Sequence, residues 1–351
     1  MTPSRDAKLA RVRTWLDGHE YDGALFSTQP GVAWVTDGLT DPVVRNEEPA
    51  LAWALVTKTD AFLICSNIEE PRLRAEEDTS GFELRVTPWY SPGGLAAVVT
   101  ELTAGLRLVT DPDSLAGLRM PLTPGEAERL AVLGHDCAGA LEAALRSWHP
   151  AERECDVAAR IAAALEERLV LPSVLLVGGA ERRRAFRHPV PTAAVCGADV
   201  LAVVVGVRGG LNVACSRTVA SGQPDPALAE RHLAACAAES AMIGATRPGT
   251  TWAEALAAGV AAYAAAGFPQ EWRAHVQGGP IGYLSREFDV VPATTRADSA
   301  IAKGDAFAWN PTVLGAKSED TFVVTADGAR PVTNTADWPV VAGGRPAILC
   351  R

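Results

Sequence analysis

The chain has no closely spaced cysteine pair, no apolar run long enough to cross a bilayer and no block of like charge, and each absence excludes something. Its seven cysteines, at 65, 137, 155, 196, 215, 236 and 350, are odd in number and include no Cys-x-x-Cys. That pattern argues against a disulfide framework or a zinc site and for reduced thiols in a cytosolic protein. The longest uncharged stretch, Ala255 to Gln270, is broken by Gly259, Gly267 and Pro269, and falls short of the ~20 apolar residues of a spanning helix. Met1 to Ala10 is polar and charged, unlike a secretory leader, so a cytoplasmic protein away from membranes is expected. The 32 basic and 42 acidic residues give a net charge of -10 and are interspersed. Nucleic acid and anionic membranes are therefore poor partners.

A length of 351 residues with 48% hydrophobic content suits about two domains with well-buried cores. Leu9, Val12 and Leu16 share one helical face within residues 8–18, and apolar runs at 23–27, 51–57 and 61–65 read as strands. A helical stretch at 94–104 precedes Leu106 to Val109, which completes a small α/β unit. The turn-rich segment from Asp111 to Pro124 marks a boundary, dividing the chain into 1–120 and 121–351. Beyond it Thr123, Pro124 and Glu126 form a helix start with a capping box, and the pattern continues to Ser147. A helix from Cys155 to Leu169, strands at 172–178, 200–207 and 211–220, helices at 226–245 and 251–266, and strands at 306–309 and 321–325 follow. No short-period repeat stands out.

Five segments carry chemistry: Phe186-Arg187-His188-Pro189, Ser216-Arg217-Thr218, His275-Val276-Gln277-Gly278-Gly279-Pro280, Trp309-Asn310-Pro311 and Lys317-Ser318-Glu319-Asp320-Thr321. Together, from about residue 125 to 325, they resemble the C-terminal domain of the pita-bread family, which includes creatinase, aminopeptidase P and prolidase. The resemblance implies an α+β fold, in which a curved antiparallel sheet with two helix pairs follows a smaller α/β N-terminal domain. It also implies five positions for a two-metal centre, of which this chain keeps Glu319. Val204 and Ala214 stand where two carboxylates would be, Gly279 where an imidazole would be and Asn310 where a glutamate would be. Hard divalent cations need several anionic oxygens to offset dehydration, so the expectation is no metal and no other cofactor.

Creatinase is the relevant precedent, because it hydrolyses a C–N bond without metal through an imidazole ahead of its first strand. His188 occupies the matching place, and imidazole can take a proton from water and return it to a leaving nitrogen near neutral pH. For a random His, a surface loop beside Pro189 would be the simpler explanation; the match favours a catalytic role. His275 is expected to donate to a developing oxyanion, with a satisfied strand-end His as the alternative. Glu319 is expected to orient His188, water or a substrate ammonium, against the alternative of an ion pair with Lys317 or Arg217. Asn310, donor and acceptor together, suits an amide or urea-like group, and Ser216 replaces a second guanidinium-binding acid, which argues against creatine itself. Arg187 and Arg286 can fork onto a substrate carboxylate, whereas Arg182 to Arg184 read as a solvated face. Gln277 is either a substrate contact or an amide that caps backbone. Trp272, Trp309 and Tyr283 read as core or cleft wall. Val35-Thr36-Asp37-Gly38-Leu39 resembles the N-terminal domain of the family, and by that resemblance Arg45 would reach the partner subunit's site in a homodimer.

The expected function is a metal-independent, creatinase-like hydrolase for a small amide, lactam or amidine-type substrate, with specialised metabolism as a setting. The alternatives are a binder that kept the pocket without turnover, a lyase or cyclase on the same imidazole, and a metallopeptidase with displaced ligands.

Overall fold

The computed structural model describes residues 3–40, 43–45, 49–110 and 113–351. Two compact units emerge, Met1–Met120 with Gly209–Leu211, and Pro121–Arg208 with Asn212–Arg351.

In the first unit a five-stranded mixed sheet runs in the order Glu83–Thr87, Ala61–Ser66, Pro49–Thr57, Gly23–Thr28, Leu108–Thr110. Alternation puts Leu25, Leu55, Phe62 and Ile64 on one face, where Val99 of the helix Gly94–Leu102 covers them. Burying each such side chain contributes roughly 1.5–3 kcal/mol. Thr28 caps the short helix Gln29–Val35 by accepting from Gly31 N at 3.3 Å. The boundary segment differs from expectation: Asp113–Arg119 is a helix, since Asp and Pro begin helices as readily as turns. Asp111 and Pro112 lie outside the described residues, as do Met1 and Thr2.

The second unit opens with the helix Pro124–Arg146, whose start follows from three residues. Thr123 Oγ1 accepts from Glu126 N at 3.3 Å and Glu126 Oε2 accepts from Thr123 N at 2.7 Å, satisfying two helix-end donors. This helix packs on Glu154–Glu166, and Pro226–Ala245 packs on Trp252–Ala265, giving the two expected helix pairs. Two four-stranded sheets accompany them. One runs Leu349–Cys350, Leu211–Ala220, Asp199–Arg208, Leu171–Gly179, and the other runs Gly328–Pro331, Asp320–Thr325, Ala306–Trp309, Gly278–Ile281. Thr321 Oγ1 joins them, accepting from Ala214 N at 2.8 Å and donating to Ala214 O at 2.9 Å. Among the described residues, no helix is long and apolar enough to cross a membrane.

Behind the strand Asp320–Thr325 lies a buried ionic network. Arg217 meets Glu142 at 2.8 Å and Asp320 at 3.0 Å, while Arg345 meets Glu239 and Asp320 at 3.1 Å each. The run Arg182 to Arg184 is not a solvated face, contrary to expectation. Arg183 is buried and forks onto Asp199, Arg182 pairs with Glu154, and only Arg184 is exposed, against Asp225.

Candidate active site

His188 and His275 are brought together by two separately braced loops. Pro189 lies against Gly178, where a Cβ would stand 2.5 Å from the proline Cγ, and Val177 N donates to Pro189 O at 3.2 Å. Only glycine leaves room for that ring, and the contact fixes His188 just before it. His275 ends the 3-10 turn Glu271–Ala274. Gln277 Nε2 donates to the carbonyls of Trp272 (3.1 Å) and His275 (2.7 Å), and its Oε1 accepts from buried Tyr263 at 3.0 Å. Gln277 is therefore a brace with its amide engaged, the backbone-capping alternative of the two considered for it. Gln277 O also accepts from Asn310 N at 3.1 Å, which ties the loop to the end of the strand Ala306–Trp309.

The two imidazoles meet Nε2 to Nε2 at 3.0 Å, rings 4.9 Å apart and inclined by 61°. Such a contact holds one proton: one Nε2 donates and the other, unprotonated, accepts. Burial lowers the pKa of His188, and the charge of Lys317 adds to the effect while Glu319 opposes it. Burial pushes His275 down to about 3, with the Lys317 and His188 charges contributing. Both rings are thus neutral near pH 7. His275 Nε2, expected to aim at a substrate oxygen, is directed at His188 instead.

The pair lines a cleft of about 560 Å³ with Asn310, Arg187, Arg286 and Trp272. Arg187 is held by Glu271 at 2.7 Å and the Thr312 carbonyl at 3.3 Å. Arg286 pairs with exposed Asp289 at 3.2 Å. Arg273 also lines the cleft, over the Trp272 ring at 4.9 Å. Glu319 and Ser216 lie beside one another, Ser216 N donating to Glu319 O at 3.0 Å. Glu319 pairs with Lys317, Oε2 to Nζ 3.4 Å, and Arg217 is committed elsewhere, so the first alternative considered for Glu319 is the one present. Asn310 Oδ1 and Ser216 Oγ are buried without a hydrogen-bond partner among the described residues, and Glu319 Oε2 has only the Lys317 ammonium at 3.4 Å. Native proteins leave few such atoms, and a cluster of them marks a place built for something else to bind. Arg45 is exposed and belongs to the Met1–Met120 unit, a separate body. Trp309 and Tyr283 are buried core and Trp272 is cleft wall. Lys317 and Tyr263 carry more of the arrangement than the sequence suggested: Lys317 stands inside the Glu319 motif, whereas Tyr263 had no signal within its Ala-rich helix.

The donors present do not fit a pair of divalent metal ions. Val204 is buried in the strand Asp199–Arg208, and both backbone polar atoms of Ala214 are engaged by Thr321. At Gly279 the backbone has φ +145°, and a Cβ would stand 2.7 Å from Val290 Cγ2. An imidazole has no room there without moving Val290. Among the described residues no group of three His, Cys, Asp or Glu side chains could hold an ion. The remaining carboxylate, Glu319, already faces an ammonium.

Comparison with known proteins adds three findings. Metallopeptidase family M24 matches residues 130–326. A "Probable dipeptidase PepE" of Mycobacterium tuberculosis is 30% identical over 193 residues, 53% of this chain and 51% of the relative, so the match spans about half the length of that relative. Among solved structures, an Xaa-Pro dipeptidase from Bacillus anthracis superposes with TM-score 0.77 at 16% identity, covering 99% of this chain and 100% of the other. Dipeptidase PepE from Mycobacterium ulcerans superposes with TM-score 0.76 at 21% identity, covering 99% and 98%. At these identities the likeness establishes the fold, a mixed α+β pita-bread arrangement with a smaller N-terminal unit.

Proposed function

Because the chain belongs to metallopeptidase family M24 but carries a donor set that does not fit divalent metal, we propose that it is a metal-independent hydrolase opening a C–N bond of a small amide, lactam or amidine-type substrate. The observation that carries this reading is the His188–His275 contact at 3.0 Å in the wall of the cleft. With the shared proton on His188 Nε2, Nδ1 of His188 holds the basic lone pair. It takes a proton from water as the oxygen attacks the carbonyl or amidine carbon. The imidazolium so formed keeps its Nε2–H on His275, and then returns a proton to the departing nitrogen. A proton-shuttling His oriented by a second acceptor follows the same logic as an acid-oriented imidazole.

Asn310, in the cleft wall, hydrogen-bonds the substrate amide through its unpartnered Oδ1, and Ser216 and Glu319, joined by Ser216 N to Glu319 O at 3.0 Å, position water or substrate from beside it. Arg286 and Arg187 anchor a carboxylate at the rim, each sharing its guanidinium with Asp289 or Glu271. The relatives' names, dipeptidase and Xaa-Pro dipeptidase, agree with amide cleavage in a small substrate. A homodimer in which Arg45 reaches the partner's cleft is part of the same reading.

The test is metabolite depletion by wild type and His188→Ala, with metal content measured after dialysis. Turnover lost in the variant and sub-stoichiometric metal support the reading. Near-stoichiometric Mn, Co or Fe with turnover that follows it sinks metal independence, and unchanged turnover in His188→Ala sinks the proton shuttle. Ligand binding with no turnover in either form would make the protein a binder.

A further inference from the structure

Lys317 is buried, with 4% of its surface exposed. It ends a two-stranded hairpin, Thr312–Val313 with Ala316–Lys317, in which Thr312 pairs with Lys317. The hairpin tip is held from three directions. Arg183 Nη1 donates to Gly315 O at 2.7 Å, Arg231 Nη1 to Leu314 O at 3.0 Å, and Leu314 N to Glu271 Oε2 at 2.9 Å. A lysine carried on a segment pinned in this way is preorganised.

Its ammonium has one ionic partner among the described residues, Glu319 Oε2 at 3.4 Å. Charge-assisted bonds are shorter, about 2.7–2.9 Å, so N–H donors remain to be used. Nearby, Asn310 Oδ1 and Ser216 Oγ are buried without hydrogen bonds among the described residues. A self-contained structural ion pair would be satisfied by its surroundings; this one sits in a polar space that is not. Lys317 pairs with Thr312 and Ser318 N donates to Pro311 O at 3.2 Å, so the segment carrying Lys317 and Glu319 runs alongside Asn310, which lines the cleft; in keeping with that placement, the Lys317 charge adds to burial in lowering both imidazoles.

We propose that Lys317 is the electrophile of this cleft, its fixed ammonium donating to the substrate oxygen on which negative charge develops. The idea rests on hydrolysis at this cleft and supplies the donor that His275, turned towards His188, does not. In the attack step the C–O bond forms, the water proton passes to His188 and the carbonyl electron pair moves onto oxygen, where the ammonium hydrogen-bonds it. In the collapse step that pair returns, the C–N bond breaks and His188 protonates the nitrogen. Lys317 gains and loses no proton. Burial lowers the pKa of Lys317 and the Glu319 carboxylate beside it opposes that shift, so the counter-charge is what holds the buried ammonium in its charged form.

The experiment uses the full chain, acetate as a small oxyanion probe, and NMR of the His188 and His275 ring nitrogens. Lys317→Met is expected to weaken acetate at least tenfold and to move both ring midpoints up. Glu319→Gln, which removes the counter-charge, is expected to tighten acetate and move the His188 midpoint down; it also keeps the test open if Lys317→Met does not fold. Lys317→Arg should retain acetate binding. Acetate binding unchanged in Lys317→Met, or unaffected by Glu319→Gln, overturns the proposal. Lys317-dependent acetate binding with turnover that survives His188→Ala would remove the proton shuttle and leave the Lys317 assignment standing, so the two failures are distinguishable.

Discussion

Nε2 of His188 lies 3.0 Å from Nε2 of His275, and the pair has room for a single proton. Both pKa values lie below the ordinary imidazole value of about 6.5, His275 at about 3. The acid limb of the wild-type kcat/KM profile should therefore lie below about 6.5, where an unperturbed His base would lose activity. An acid limb centred at the ordinary imidazole value would contradict the neutral pair.

The same shift has a stability consequence with a definite sign. The unfolded chain protonates His275 first, from about pH 6.5 downwards, whereas the folded chain resists until about pH 3. The stabilisation is full above about pH 6.5 and is lost as pH falls towards 3. Urea unfolding of wild type and His275→Gln between pH 7.5 and 5 should show a shallower pH slope in the variant. Equal slopes would mean that the ring is not shifted.

At Gly279 a φ of +145° and a Cβ position 2.7 Å from Val290 Cγ2 both oppose a side chain. Gly279→Ala is expected to destabilise by about 1–3 kcal/mol through strain and overpacking. Val290→Ala should recover the packing part but not the backbone part, which a double-mutant cycle in chemical denaturation measures. Gly279→His should give no gain in melting temperature on adding Mn²⁺ or Co²⁺, since binding to the folded state alone would raise it.

Regular elements with strong local signals were legible in the sequence. Thr123, Pro124 and Glu126 announced the helix Pro124–Arg146, and the strand expected at 211–220 is Leu211–Ala220. The strand Gly278–Ile281 was not legible, because its Gly-Gly-Pro composition signals a turn and its pairing with Ala306–Trp309 comes only from tertiary contact. The site was legible where a short motif carried it: His188, His275 and Asn310 do line one cleft. Their mutual geometry was not, since the His188–His275 contact joins residues 87 apart and is set by Gln277, Tyr263 and Pro189. Arg183 misled for the same reason: its partner Asp199 is distant in sequence, and a cluster of arginines carries no mark of which one is buried.

Asp305 is a buried carboxylate whose Oδ2 accepts from Ala302 N at 2.9 Å, and burial pushes its pKa up to about 6. The unfolded chain ionises it near 4, so the folded state holds its proton longer and stability falls as pH rises from about 4 to about 6. Asp305→Asn keeps an acceptor for Ala302 N and removes the charge. The variant should be more stable than wild type at pH 7.5, by about 1–3 kcal/mol, with the difference vanishing near pH 4. A variant less stable at both pH values would show that the charged form has a partner that offsets its burial.

Arg183 forks onto Asp199 in the interior, and its second terminal nitrogen pins Gly315 O at the tip of the hairpin that carries Lys317. Arg183→Met leaves Asp199 buried without a counter-charge, which costs about 3–5 kcal/mol. Arg183→Met with Asp199→Leu removes both charges together and should recover most of that loss, because two apolar side chains need no compensation. Recovery of stability should not bring back the hairpin, since Gly315 O still lacks its donor. Amide exchange at Leu314 and Gly315 should therefore stay faster than wild type in the double variant, and so separate the energetic role of the ion pair from its positioning of Lys317. Exchange restored along with stability would mean that packing alone sets the hairpin, and that Arg183 does no more than neutralise Asp199.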